Sequence, residues 1–272
     1  MRKKSLRKAL LFIFAAILTL LNIAPLLWVA LSSFKTRLEI FSSPPSLFPE
    51  KWQVQNYINL INVNLPYLLN SIIVTLLSTL GVLLLSVPAA FGLTAFTFPK
   101  KRDLEMWFLS GRMMPPVAAA IPFYLTLRQV GLIDTHIGLI LLYVGIGIPL
   151  AVWLITSFMR SIHPAIYEAA RIDGCKWRDI FLRITIPLSS GGIATATIFI
   201  TIFAWNELLL PLFLTNRFAK TFPVVLTSFQ GQTEIAWELM CAGATIQVLP
   251  VIVLTFFVQK YIVSGLTLGS VK

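Results

Sequence analysis

Seven consecutive residues, Glu168-Ala169-Ala170-Arg171-Ile172-Asp173-Gly174, hold the groups of this chain best suited to making a contact. Glu168 offers a fixed negative charge to a basic or N–H-rich surface, and the short side chains of Ala169 and Ala170 let such a surface approach the backbone. Gly174 permits the left-handed turn that ends a helix. That chemistry is docking rather than bond making. A second group, Trp205-Asn206-Glu207, sets an indole, an amide and a carboxylate inside a long apolar run, and Arg112 sets a guanidinium inside another. An ionised group facing lipid costs on the order of 2.5 kcal/mol or more, so these side chains must face protein or water. Two roles fit them equally: lining a polar path, with Trp205 able to stack on a ring-shaped solute, or a structural pairing of Glu207 with Arg112.

Catalytic chemistry has little to work with. The chain contains no Gly-Lys dipeptide, hence no phosphate-cradling Walker loop and no means of hydrolysing a nucleotide by itself. Only 11 acidic residues exist, and most fall in loops, so no acid pair in a dry cleft is expected. Two cysteines cannot build a structural zinc site, and neither His136 nor His163 lies near a second ligand at metal spacing.

The elements that must position these groups follow from composition. The chain is 57% hydrophobic and only 12% charged, with a mean hydropathy of +0.83. That mixture describes an all-α integral membrane protein. A net charge of +11 raises the question of nucleic acid, but the basic residues sit in short segments between apolar runs rather than on one soluble face. They act as orientation signals instead.

Six apolar spans are predicted: Ala9–Phe34, Pro66–Phe98, Leu104–Leu127, Ile137–Met159, Ile186–Leu214 and Met240–Val263. The first follows a basic start, exceeds the length of a signal core and lacks a small-x-small ending, so it reads as an uncleaved span. The third is interrupted by Arg112, Pro115 and Pro116, but parity requires it. With it, 15 of the 22 Lys and Arg residues lie on the inner side and six on the outer, with Arg112 within the span. This bias places both termini in the cytoplasm. The charged stretch from Arg160 to Thr185 is then an inner loop. Pro164 suits the first turn of a helix, and Trp177, Ile180, Phe181 and Ile184 give a second helix one apolar face.

The loop also carries a spaced pattern: Glu168-Ala169-Ala170, then Gly174, then Ile184-Thr185-Ile186-Pro187. This closely resembles the EAA motif of permease subunits from ATP-binding-cassette (ABC) importers, with Ile186 where Leu is usual. Arg112-Met113-Met114-Pro115-Pro116, Gly131-Leu132-Ile133-Asp134-Thr135, Ala204-Trp205-Asn206-Glu207 and the ending Gly265 to Lys272 are similar to carbohydrate-importer permeases of the maltose type, within the MalG branch. The likeness covers nearly the whole chain.

The resemblance implies a six-helix type I importer permease of the bacterial or archaeal plasma membrane, carrying a carbohydrate and coupled to a separate ATPase. It implies a second permease, two ATPase subunits and an extracytoplasmic sugar-binding protein as partners. ATP and Mg would be held by the ATPase, with no cofactor in this chain. Glu168, Ala169, Ala170, Asp173, Gly174, Trp177 and Phe181 would form the coupling helix and its surroundings. Gly265, Leu266, Thr267 and Gly269 of the tail Ser264–Lys272 would reach the ATPase, and Phe229, Gln230 and Gly231 would form a loop entering the binding protein. The rival readings are an ion-coupled secondary carrier with Glu207 as its ion site, disfavoured because no internal repeat is visible, and a purely structural scaffold.

Overall fold

A computed structural model describes residues 2–111, 115–231 and 235–268. These residues form thirteen helices and no strand beyond one isolated antiparallel bridge between Gln230 and Ile235. In chain order they are α1 (Arg2–Ser32), α2 (Arg37–Ile40), α3 (Gln55–Ala95), α4 (Lys101–Ser110), α5 (Pro116–Gln129), α6 (His136–Met159) and α7 (Pro164–Ile172). Then come α8 (Trp177–Asp179), a π-helical turn (Ile180–Thr185), α9 (Ile186–Leu188), α10 (Ser190–Asn206), α11 (Leu209–Leu214), α12 (Phe222–Ser228) and α13 (Trp237–Leu268).

Among the described residues, four helices are long and apolar enough to cross a membrane, and a fifth candidate is a pair bent by 73° between Trp177–Leu188 and Ser190–Asn206. Long runs of exposed Leu, Ile and Phe on α1 and α3 are what a lipid-facing surface requires and a water-facing one forbids. The predicted third span is divided into α4 and α5, with Pro115 capping α5 and Pro116 in its first turn. At about 15 and 21 Å, neither piece alone matches a bilayer core. The helix of the predicted second span, α3, starts at Gln55, well before the predicted Pro66, because a single proline removes one backbone bond and does not end a helix that packs on both sides of it.

The chain divides into two compact units, Met1–Leu65 with Val225–Leu249 and Pro66–Val224 with Pro250–Lys272. In the first, Lys35 is buried, donates from Nζ to the Ser46 carbonyl and lies 4.6 Å from the centre of the Trp28 ring. Around it, Asn56 donates to the carbonyls of Ser33 and Lys35 at 2.9 and 3.2 Å, and Phe34 stacks at tilted angles on Trp52 and Tyr57. The buried ammonium is thus met by a carbonyl and a ring face, which is how such a charge survives away from water.

The second unit carries the larger core. Val82, Phe91, Ile155, Met159, Ala170, Ile180 and Ala196 form one cluster near the Met159 end of α6. Val74, Leu139, Tyr143, Leu210, Leu214 and Ala219 form another near the His136 end. Small residues bring the helices together between them. A Cβ at Gly81 would lie 2.7 Å from Val144, and one at Gly147 would lie 2.7 Å from Val82, so α3 and α6 touch backbone to side chain.

Candidate functional site

The stretch from Pro164 through Glu168 to Gly174 and on to Pro187 folds as a helical hairpin. His163 caps α7 by accepting the Ala165 N–H on Nδ1 at 3.2 Å, and Pro164 occupies the first turn, where its missing N–H costs nothing. At the other end the Cys175 N–H reaches the Ala170 carbonyl at 2.9 Å and the Gly174 N–H reaches that of Arg171 at 3.1 Å. Gly174 has φ +81°, so the chain turns through the left-handed region that glycine enters without a Cβ penalty. The predicted helix, start and stop are all present.

Orientation is where the structure adds to the motif. Glu168, Ala169, Asp173 and Gly174 are exposed, while Ala170 is only 6% exposed and belongs to the apolar core. Of the two alanines expected to open the backbone to another surface, Ala169 is exposed and Ala170 is packed inward. Ala170 is small so that α7 can lie close on its own chain. Trp177 and Phe181 also face inward: Trp177 is 6.3 Å and Phe181 is 5.0 Å, ring centre to ring centre, from Phe91 of α3. Tyr167 of α7 reaches the same ring at 6.4 Å, and Arg171 covers Trp177 at 5.0 Å.

The second arm is not a regular helix. Between α8 and α9 the backbone widens into a π turn with Ile180 and Thr185 buried, and the Thr185 hydroxyl donates to the Ile180 carbonyl at 3.2 Å. Beside the hairpin lies a cavity of about 680 Å³ lined by Thr94, Thr97, Arg160, Tyr167, Glu168 and Arg171 among others. Arg160 is tied to Glu105 of α4 at 2.6 Å.

The residues predicted to face a path divide. Glu207 lies at the break between α10 and α11, where its Oε1 accepts the Leu210 N–H at 3.1 Å. It lines a cavity of about 300 Å³ together with Trp107, Phe123, Leu141, Pro149 and Phe203. Trp205 is only 5% exposed and lies in the interior, so it is not presented to a solute in this conformation. Asn206 points out and donates to the Ile202 carbonyl at 2.9 Å. Arg112 lies outside the described residues, and so does the Glu207 pairing proposed for it. The three aromatic residues of this cavity, Trp107, Phe123 and Phe203, come from three separate helices, which is why their nearness left no local signature in the sequence.

At the far end of α6, about 36 Å along its axis, the Gly131-to-Thr135 motif has a structural job. Asp134 itself has φ +55°, and its carboxylate accepts the backbone N–H groups of Asn216, Arg217, Phe218 and Ala219 at 3.0 to 3.1 Å. Burial pushes its pKa up, but the four backbone donors outweigh that and hold it below the ordinary carboxylate value of 3.8. Asn70 donates to the Phe218 and Lys220 carbonyls at 2.8 and 2.9 Å and meets His136 Nε2 at 2.7 Å, while Ser71 accepts the Phe222 N–H at 2.8 Å. Asp134 stands in a motif visible in the sequence, but its acceptor role and its company of Asn70, Ser71 and His136 are not, because the hydrogen bonds of the clamp join residues 66 to 151 positions apart.

The remaining expected sites are partly described. The Phe229 carbonyl accepts the Ala236 N–H at 3.1 Å and Gln230 pairs antiparallel with Ile235, with Gly231 next in the chain after Gln230. Gly265, Leu266 and Thr267 continue the backbone of α13, and Gly269 lies outside the described residues.

A family defined as the inner membrane component of binding-protein-dependent transport systems matches residues 1–268. The chain belongs to that family. It is an ABC transporter permease, the membrane subunit and not the ATPase. The diacetylchitobiose uptake system permease of Streptomyces coelicolor is 33% identical over 100% of this chain and 90% of its own length. The trehalose transport system permease of Mycobacterium tuberculosis is 35% identical over 91% of this chain and 92% of its own. A bacterial ABC transporter involved in importing the acidic polysaccharide alginate contains a chain with the same fold, at a TM-score of 0.79 and 21% identity, covering 96% of this chain and 98% of that one.

Proposed function

We propose that this permease imports a carbohydrate, in the class of disaccharides, oligosaccharides or related polyols and sugar phosphates, as half of a translocation path completed by a second permease. The observation that carries the coupling part is the exposed Glu168–Ala169 face and the Gly174 turn of a hairpin whose opposite face is locked into the core. A surface held so rigidly from behind can be pushed from the front. Two ATPase subunits, holding ATP and Mg, supply the push, each permease seating its hairpin on one of them. The substrate class is supported by the names of the diacetylchitobiose and trehalose permeases, full-length relatives above 30% identity.

In this arrangement α4 and α5 together make the third of six spans, both termini are cytoplasmic, and Asp134 lies on the outer side. Glu207 faces the path, and Phe229, Gln230 and Gly231 meet an extracytoplasmic binding protein. Gly265, Leu266, Thr267 and Gly269 approach the ATPase pair. The test is reconstitution in proteoliposomes with the partner permease, the ATPase and the binding protein. Uptake of a labelled disaccharide is expected only with ATP at the hairpin side and binding protein at the Asp134 side. Uptake by this chain alone, driven by an ion gradient, would overturn the reading in favour of a secondary carrier.

A further inference from the structure

Phe91 occupies a singular place among the described residues. It is 7% exposed, lies four residues before the end of α3, and four other aromatic rings surround it. Tyr167 comes from the first arm of the hairpin, Trp177 and Phe181 come from the second, and Phe96 follows α3 itself at 5.9 Å. Phe96 also stacks on Trp177 at 4.7 Å, which closes the cage. Both arms of the hairpin therefore grip one ring of one membrane helix. Edge-on and tilted ring pairs of this kind hold position through shape and quadrupole rather than through a single breakable bond.

The position of that ring along α3 matters as much as its neighbours. Pro88 lies three residues earlier and cannot donate to the Leu84 carbonyl, so the helix is locally compliant there. Beyond it, Gly81 and Val82 lock α3 onto Val144 and Gly147 of α6. The short segment from Ala89 to Ala95 is thus a stub, caged at one end by the hairpin and joined through a soft point to a rigid helix pair at the other.

We propose that Phe91 is a positioning residue for transport: it makes the stub of α3 follow the hairpin, so that displacement of α7 and α8 reaches α3 and α6. The proposal rests on the coupling role of the hairpin. Apolar volume alone would keep the core filled; the ring is needed because only a flat, rigid side chain touches both arms at once. A leucine here fills much of the space but offers no ring to either arm.

The experiment uses the complete transporter in proteoliposomes, with ATP hydrolysis and sugar uptake measured on the same preparation. F91L is expected to keep ATP hydrolysis close to the wild-type rate while uptake falls, so that ATP consumed per sugar imported rises roughly tenfold. F91Y, which restores a ring, is expected to return that ratio to the wild-type value. F91A serves as the larger deletion and is expected to uncouple at least as strongly as F91L. If hydrolysis and uptake fall together in F91L, or neither changes, Phe91 is ordinary core and the proposal is overturned while the importer reading stands. If the wild-type complex hydrolyses ATP with no sugar uptake at all, the importer reading fails first and the proposal falls with it.

Discussion

The two ends of α6 are held by different physics. At the Met159 end, the hairpin is fixed by aromatic rings and by Ala170 against the core, while Gly192 of α10 closes on Phe158 of α6 beside it. At the His136 end, a carboxylate and an amide hold the 216–222 segment through backbone hydrogen bonds to Asp134 and Asn70. Hydrogen bonds are directional and fail beyond a few tenths of an ångström, whereas ring packing tolerates sliding and tilting. The clamp is built to keep one geometry. The coupling role proposed for the hairpin needs a contact that survives displacement, and ring packing is of that kind.

The hairpin's dependence on one backbone geometry gives the largest expected effect. G174P requires φ near −65° where the chain has +81°, and it deletes the N–H that reaches the Arg171 carbonyl. ATP-driven sugar uptake is expected to fall to background, measured in proteoliposomes beside an unchanged amount of folded protein. Persistent uptake would mean that the turn carries no motion.

A smaller loss is expected at the clamp. D134A leaves four backbone N–H groups without their acceptor and is expected to destabilise by about 2 kcal/mol, since partial solvation of the carboxylate weakens each of these bonds. Thermal unfolding in detergent checks it. The pH dependence has a fixed sign. Because the folded pKa is depressed, the contribution is present above 3.8 and is lost as pH falls through the lower folded value. The stability gap between wild type and D134N should therefore narrow below pH 3.8, and a gap that stays constant there would show that the charge is not what the donors hold.

The smallest effect separates both regions from ordinary surface. Arg183 and Asp179 form an exposed i,i+4 pair at 3.9 Å. R183A is expected to change stability by less than about 0.5 kcal/mol and to leave uptake intact. A large loss of uptake in R183A would move a contact with the ATPase onto this arm.

Much of this molecule is legible from residue order. Apolar runs long enough for a bilayer must form helices because lipid offers the backbone no hydrogen bonds, and Pro164 and Gly174 bracket a helix wherever it lies. Local rules of this kind depend on neighbours within a few positions. The side on which each motif residue is spent does not. Ala170 and Trp205 belong to the right motifs but face the interior, and α5 begins afresh at Pro116. Phe91, Asp134 and Asn70 take their meaning from partners at Tyr167, Trp177 and 216–220, up to 150 residues away in the chain. Folding decides such meetings, because side-chain packing and hydrogen-bond closure are satisfied in space and leave no periodic trace along the sequence.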